Sequence, residues 1–270
     1  MKKNCVRYLI LIVMGLIILA PFFYAVIVSF ESAEDTLAFP PVFVPGEIYI
    51  KSYLEAFRTA PLVIFIINSF VVSLSVTVGQ VITCSLAGYA FAFLEFPFKK
   101  VLFIIFLSTM MIPAESIIIP NYFTIRSLGW LDSYQGLAVP FMASAFGTFL
   151  LRQYFQTLPR EIYDAARIDG CGRLRFFLTM VLPLSKPAIA TLAVYAFLTT
   201  YNQYMWPLLI TNTDGMRTVQ IGLAMLQWDQ GISWNTTMAG IVIVSLPTVI
   251  LLIAGQKQLV KGLTAGSVKG

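Results

Sequence analysis

Two stretches of this 270-residue chain carry side chains whose types and spacing could do chemistry. The first, 157–187, sets Arg160, Glu161, Asp164, Arg167, Asp169, Arg173 and Arg175 around the pair Ala165-Ala166 and the glycines Gly170 and Gly172. Pro159 can open a helix, because its missing N–H is an orphan there anyway. Glu161 and Asp164 then fall in the first turns, where acids suit the helix dipole. Gly170 and Gly172 break the helix, and Pro183 and Pro187 bracket the entry to the next apolar run. The pattern predicts a short amphipathic helix, a glycine joint and a second helical segment. Such a knob suits docking into another protein's groove; the competing reading is an interfacial helix lying on lipid. The second stretch is the cluster Asn202, Gln203, Tyr204 and Trp206, with Asn68 alone in an earlier apolar run. Amides and aromatic faces suit hydroxyl-rich solutes, and the same side chains also serve ordinary packing between membrane helices.

Other chemistries are absent. The chain has no histidine, which removes Ser-His-Asp and Cys-His catalysis, HExxH zinc chemistry and histidine proton relays. No GxxxxGK[ST] phosphate loop or GxSxG elbow occurs, so the chain is expected neither to hydrolyse ATP nor to act as an enzyme. Cys5, Cys84 and Cys171 lie far apart and form no CxxC pair. Asn235-Thr236-Thr237 fits a glycosylation sequon, a triplet common by chance.

The elements that must position these groups follow from hydropathy. The sequence is 58% apolar and 11% charged, with a mean hydropathy of +0.82. Soluble domains carry about 25% charged residues, so lipid is the expected solvent. Six apolar runs near 8–30, 63–94, 101–121, 135–158, 184–211 and 237–256 reach the roughly 20 residues a membrane helix needs. The first exceeds the usual signal-peptide core and is read as a retained helix. The second is too long for one perpendicular span. Ser69, Ser73, Ser75, Gly79, Ser85 and Gly88 give it a small-residue face for close packing. Between the first two runs, turn-rich Phe39-Pro40-Pro41 and Pro45-Gly46 precede an amphipathic helical pattern over 49–57.

Lys and Arg counts for the seven segments outside and between the runs are 3, 2, 2, 1, 6, 1 and 3, the fifth taking in Arg152 and Lys186 from the ends of the runs that flank it. The positive-inside rule then puts both termini in the cytoplasm, with only the second loop ambiguous. The basic termini are read as topogenic rather than as nucleic-acid binding. Charges stay out of the spans except Glu115, Arg152 and Lys186 near span ends, so there is no ladder of acids of the kind proton-coupled carriers use. Glu115, after Pro113, reads either as a gate residue or as an interfacial carboxylate.

Asp164-Ala165-Ala166, three residues, Gly170, nine residues, then Met180-Val181-Leu182-Pro183 resembles the EAA loop, E-A-A-x3-G-x9-I-x-L-P, of permease subunits of binding-protein-dependent ABC importers. Asp164 and Met180 are mild departures from Glu and Ile. Pro159-Arg160-Glu161, Leu131-Asp132-Ser133-Tyr134, the run from Thr148 to Gln153 and the tail from Gly262 to Gly266 look like the carbohydrate-uptake branch. Within it, Pro183-Leu184-Ser185-Lys186 and the run from Asn202 to Ile210 look closest to glycerol-3-phosphate permeases, with similar runs in subunits for maltose-like oligosaccharides.

The resemblance implies an all-α, six-helix type I importer permease (MetI-like) fold, a single transmembrane domain over 1–270 with a cytoplasmic coupling loop at 157–187. It implies a second homologous permease chain, two ATP-binding subunits and an extracytoplasmic solute-binding protein, in a bacterial cell membrane. ATP would be hydrolysed by those subunits, with no cofactor in this chain. Glu161, Asp164, Ala165, Ala166, Asp169, Gly170, Leu182 and Pro183 would couple to the ATPase, and Lys261–Gly270 would reach it as well. The rivals are a stand-alone secondary carrier, which predicts titratable groups in the spans and no docking loop; a membrane enzyme, which predicts clustered acids, His or Cys at a membrane face, whereas Glu161, Asp164 and Asp169 sit in the docking segment; and a permease for a non-sugar solute.

Overall fold

In the computed structural model, residues 2–40, 46–228 and 234–264 are described, and no strand occurs among them. The helices are α1 (Lys2–Val28), α2 (Ala33–Thr36), α3 (Lys51–Thr59), α4 (Leu62–Phe93), α5 (Lys99–Ser108), α6 (Ala114–Ser127), α7 (Tyr134–Ala138), α8 (Ala145–Phe155), α9 (Arg160–Ile168), α10 (Arg173–Phe176), α11 (Leu182–Leu184), α12 (Lys186–Tyr201), α13 (Met205–Ile210), α14 (Val219–Trp228) and α15 (Trp234–Thr264). The fold is all-α, as expected. Pro41 and Pro45 of the first loop and the tail residues 265–270 lie outside the described residues.

Among the described residues, three helices, Val6–Val28, Leu62–Phe93 and Trp234–Lys257, are long and apolar enough to cross a membrane, and the number rises to six if each of three bent pairs forms one span. The pairs are Lys99–Met111 with Ala114–Ser127 at 99°, Tyr134–Phe141 with Ala145–Phe155 at 44°, and Arg173–Leu184 with Lys186–Tyr201 at 79°. Each break has a local cause. Pro113 forces the preceding Ile112 into extended backbone (φ −82°, ψ 118°), because a residue before proline is barred from the helical region. Ser144 is extended and caps α8, its hydroxyl accepting the Gly147 N–H at 3.1 Å. Ser185 alone separates α11 from α12.

The chain divides into two compact units, with α4 and α15 each running from the first into the second. The first comprises 1–66 and 219–247. Here none of the most apolar window of α1 is buried, so its side chains face outward. Polar contacts tie the residues after α1 to α3 and to the start of α15. Ser52 Oγ donates to the Ser29 carbonyl at 2.6 Å, Asn235 Nδ2 to the Glu31 carbonyl at 2.9 Å, and Thr236 Oγ1 to Glu55 Oε2 at 3.0 Å. Asn235 is thus buried in a structural bond, which counts against its sequon. The amphipathic pattern at 49–57 becomes α3, with Ser52 and Ala56 on its buried side. The Glu31 side chain is only 2% exposed, and its Oε1 has no hydrogen-bond partner. Burial pushes that carboxyl up, the charge of Asp35 adds to the rise, and the Thr36 side chain opposes it.

The second unit comprises 67–218 and 248–270. Its α4 closes the broken backbone at 139–144. Gln80 Nε2 donates to the Phe141 carbonyl (2.9 Å), Thr83 Oγ1 to Met142 (2.6 Å) and Cys84 Sγ to Ser144 (3.4 Å). Carbonyls released by a break cannot turn to water in lipid, so a neighbouring helix must satisfy them. The small-residue face predicted for α4 serves this approach: a Cβ on Gly79 would sit 2.5 Å from Met142 Cγ.

Candidate functional site

The segment 157–187 folds as its residues dictate. Pro159 stands at the N-cap of α9 with φ −56°, Glu161 lies in the first turn and Arg167 in the last, matching the dipole at both ends. The helix closes at Gly170, whose φ is +70°. The Gly170 N–H donates to the Arg167 carbonyl at 3.1 Å and the Cys171 N–H reaches back to Ala166 at 2.8 Å. These two bonds form a Schellman turn, which calls for a left-handed residue at this position. A Cβ on Gly170 would meet nothing within 4 Å, so backbone conformation, not crowding, selects glycine. Gly172 has an ordinary φ of −67°.

One face of α9 is anchored. Tyr163 packs against Phe93 (ring centroids 5.5 Å) and Phe176 (5.1 Å), and Phe176 meets Phe93 edge-on at 5.5 Å. Ala166, 8% exposed, joins a core with Tyr89, Leu151, Phe155, Phe177 and Val181. The Tyr89 hydroxyl donates to the Arg173 carbonyl at 3.0 Å, fixing α10 to α4. Beside this anchor lies a cleft of about 780 Å³, edged by Glu95, Arg160, Asp164, Arg167 and Arg173, so Asp164 stands at the border between the two faces of α9.

The other face is free. Glu161, Asp164, Ala165 and Asp169 are exposed, and Ile168 is 86% exposed at the tip. The two alanines therefore differ: Ala165 faces out and Ala166 faces the chain's own core. Leu182 is half-buried against that core, and Pro183 is exposed. The structure thus brings Glu161, Asp164, Ala165, Asp169 and Gly170 together on one knob, and assigns Ala166 and Leu182 to its support. The fragment from Lys261 onward begins within α15, which runs to Thr264.

The membrane candidates separate differently. Asn202, Gln203 and Tyr204 were expected inside a continuous fifth helix over 184–211, and they are not. The helix α12 ends at Tyr201, Asn202 caps it with its Nδ2 on the Leu198 carbonyl (2.8 Å), and Gln203 and Tyr204 link it to α13. Hydropathy registers apolar content, not backbone direction, and so misses this break. Trp206 lies in α13, is 4% exposed, donates Nε1–H to the Gly136 carbonyl (3.1 Å) and packs edge-on against Phe141. Asn68, 2% exposed, donates to the Gly215 and Arg217 carbonyls, both at 2.9 Å, and accepts from the Tyr134 hydroxyl at 2.6 Å. Both have the geometry of packing residues. Glu115 is exposed in the first turn of α6. Arg152 is engaged, with Nε 3.3 Å from the Phe91 carbonyl and its guanidinium 4.0 Å from the Phe103 ring centre.

Asp132 organises a loop that its motif Leu131-Asp132-Ser133-Tyr134 does not announce. Asp132, at φ +54°, accepts the N–H of Asn212 (2.9 Å) and Thr213 (3.1 Å) on Oδ1 and the Thr213 hydroxyl (2.7 Å) on Oδ2. Burial pushes its carboxyl up, but the Thr213 hydroxyl, the two N–H donors and the Arg217 charge outweigh that and hold it below the usual value. Arg217 also pairs with Asp214 at 2.8 Å. The pairing of 132 with 212–213 has no local sequence signal.

Residues 84–265 match the family model of the binding-protein-dependent transport system inner membrane component. The chain is 38% identical to the sn-glycerol-3-phosphate transport system permease protein UgpE of Brucella abortus (strain 2308), covering 97% of this chain and 96% of the relative. It is 37% identical to the protein of the same name from Rhizobium meliloti (strain 1021), with the same coverage. Its fold is similar to a chain of a bacterial ABC transporter involved in the import of the acidic polysaccharide alginate, with a TM-score of 0.84 and 24% identity over 95% of this chain and 96% of that one. The chain belongs to the family of inner membrane components of binding-protein-dependent transport systems, and is a permease subunit of an ABC importer.

Proposed function

We propose that this permease carries a hydroxyl-rich solute of the carbohydrate or glycerol-3-phosphate class inward, as one of two permease chains, and that ATPase subunits grip it at α9. The observation that carries the coupling role is the split of α9 into an anchored face, Tyr163 and Ala166, and a free face, Asp164, Ala165 and Ile168. A helix held rigidly on one side transmits a push applied to the other. Nucleotide-driven movement of the ATPase pair would displace α9, and the spans on either side would turn with it. An extracytoplasmic binding protein supplies the solute, and both termini lie in the cytoplasm.

The relatives named for sn-glycerol-3-phosphate favour that solute. A phosphate calls for Arg or Lys in its path, and the spans carry none near their middle; Arg152 is already committed. The second permease chain or the binding protein would supply that charge. A neutral oligosaccharide is the second reading, favoured by this same lack of cations. The test is ATPase activity of the purified complex, reconstituted with its binding protein, against a panel of sugars and glycerol-3-phosphate. Stimulation by one member of the panel supports the reading. Amino acids are assayed beside the panel, and stimulation by one of them, with none from any sugar or polyol phosphate, overturns the solute class.

A further inference from the structure

Between the docking helix and the span that follows it, the chain turns through an elbow. Arg173–Leu184 and Lys186–Tyr201 meet at 79°, with Ser185 alone between them. The turn just before, Phe177–Val181, is π-helical, a form that recurs as single turns at functional sites. Pro183 and Pro187 flank the bend, and Pro187 has no N–H to offer the Pro183 carbonyl four residues back.

Ser185 is the unusual member. Its N–H lies 3.0 Å from the Val181 carbonyl and 3.2 Å from Leu182, and its carbonyl accepts from Ile189 at 3.0 Å. Its side chain is 0% exposed, and the hydroxyl has no hydrogen-bond partner. Serine and threonine in helices ordinarily bond the carbonyl three or four residues back. Thr179 does so to Arg175 at 2.7 Å and Thr191 to Pro187 at 2.9 Å, on either side of the bend. An orphaned buried hydroxyl calls for a specific reason. Both sides of the elbow pack on a common core, through Val181, Ala188 and Leu192 against Leu151 and Phe155. The Tyr154 hydroxyl lies 3.4 Å from the Leu184 carbonyl.

We propose that this elbow is a two-state hinge and that Ser185 is its positioning residue. The structure holds the bent state, in which the hydroxyl is orphaned. In the straighter state, which the transport cycle visits, the hydroxyl bonds to the Val181 or Leu182 carbonyl. The hinge converts movement of α9 into rotation of α12, and so rests on the reading of α9 as the ATPase handle.

The test uses the assembled transporter with its ATPase and binding protein. Spin labels go on Leu178→Cys and Thr199→Cys, both exposed positions, with the native cysteines replaced by serine, and electron–electron resonance gives their separation. The separation is expected to lengthen between the nucleotide-free and ATP-trapped complexes. Ser185→Ala should hold the short distance and lower coupled transport about fivefold, the fold-change that one typical hydrogen bond represents. Pro187→Ala restores an N–H and should lengthen the distance without nucleotide. These opposite shifts separate a hinge from general damage, which would move both variants the same way. An unchanged distance between the two nucleotide states, or same-direction shifts in the two variants, overturns the hinge. A rigid elbow in a complex that keeps its ATPase counts against the hinge alone. Failure of the ATPase to associate counts against the docking reading and the hinge together.

Discussion

Replacing Gly170 tests the docking knob at its most specific point. The residue sits at φ +70° with open space where a side chain would begin, so two effects can be separated. Gly170→Ala adds only the cost of left-handed backbone, about 1–2 kcal/mol. That lowers the ratio of closed to open Schellman turn by roughly five- to thirtyfold, yet leaves most of a typical folding stability of about 5–15 kcal/mol. Gly172→Ala, at φ −67° and with equal space, should cost far less and serves as the control. Gly170→Glu adds to the backbone cost a charge on the free side of α9, and should uncouple ATP hydrolysis from transport. The assays are thermal stability of the purified complex and solute-dependent ATPase activity beside uptake. If Gly170→Ala proves as silent as Gly172→Ala, the cap argument fails. If Gly170→Glu inserts normally and transports with normal coupling, the docking argument fails.

Three further outcomes follow from the same geometry. Ala166→Leu should overpack the core beneath α9 and cost about 1–3 kcal/mol, seen as a lowered melting temperature, whereas Ala165→Leu should leave stability unchanged and weaken ATPase association in co-purification. Asn68→Leu strands the Gly215 and Arg217 carbonyls and the Tyr134 hydroxyl, at about 1–3 kcal/mol for each group left unsatisfied; the complex should melt earlier while its ranking of solutes stays the same, and an altered ranking would restore Asn68 to the solute path. Acid and base should act oppositely at two carboxyls. The depressed value of Asp132 contributes stability that is present above its unfolded value of about 4 and is lost as pH falls through its lower folded value. The raised value of Glu31 makes the fold most stable below about 4 and less so as pH rises through its higher folded value. Melting curves against pH should therefore flatten on the acid side in Asp132→Asn, and show higher stability near neutrality in Glu31→Gln.

The apolar runs at 8–30, 63–94 and 237–256 were legible because a membrane helix must be a long apolar stretch, and they became α1, α4 and α15. The knob was legible because its ends are written in local chemistry: Pro159, the acid at 161, and glycine at 170. The bends were not. Pro113 and Pro187 marked two of them, but a proline gives no angle, and Ser144 carries no mark beyond being a good cap. Asn202 looked like a polar group within an apolar helix, while the backbone actually stops one residue earlier. Asn68 was ambiguous because its partners are carbonyls 147 and 149 residues away, which every residue type provides alike. The difference between Ala165 and Ala166 needed Phe93 and Phe176 in place, since identical side chains on adjacent positions are told apart only by what each faces.

The central claim is that the free face of α9 is where a separate ATPase takes hold. The direct measurement is cross-linking from Ile168→Cys, its native cysteines replaced by serine, in membranes holding the whole transporter. The account predicts capture of the ATPase subunit at Ile168→Cys, protection of that thiol from membrane-impermeant reagents applied to intact cells, and no capture from the exposed Phe39→Cys in the first loop. Labelling of Ile168→Cys from outside the cell, with no ATPase cross-link, would contradict it.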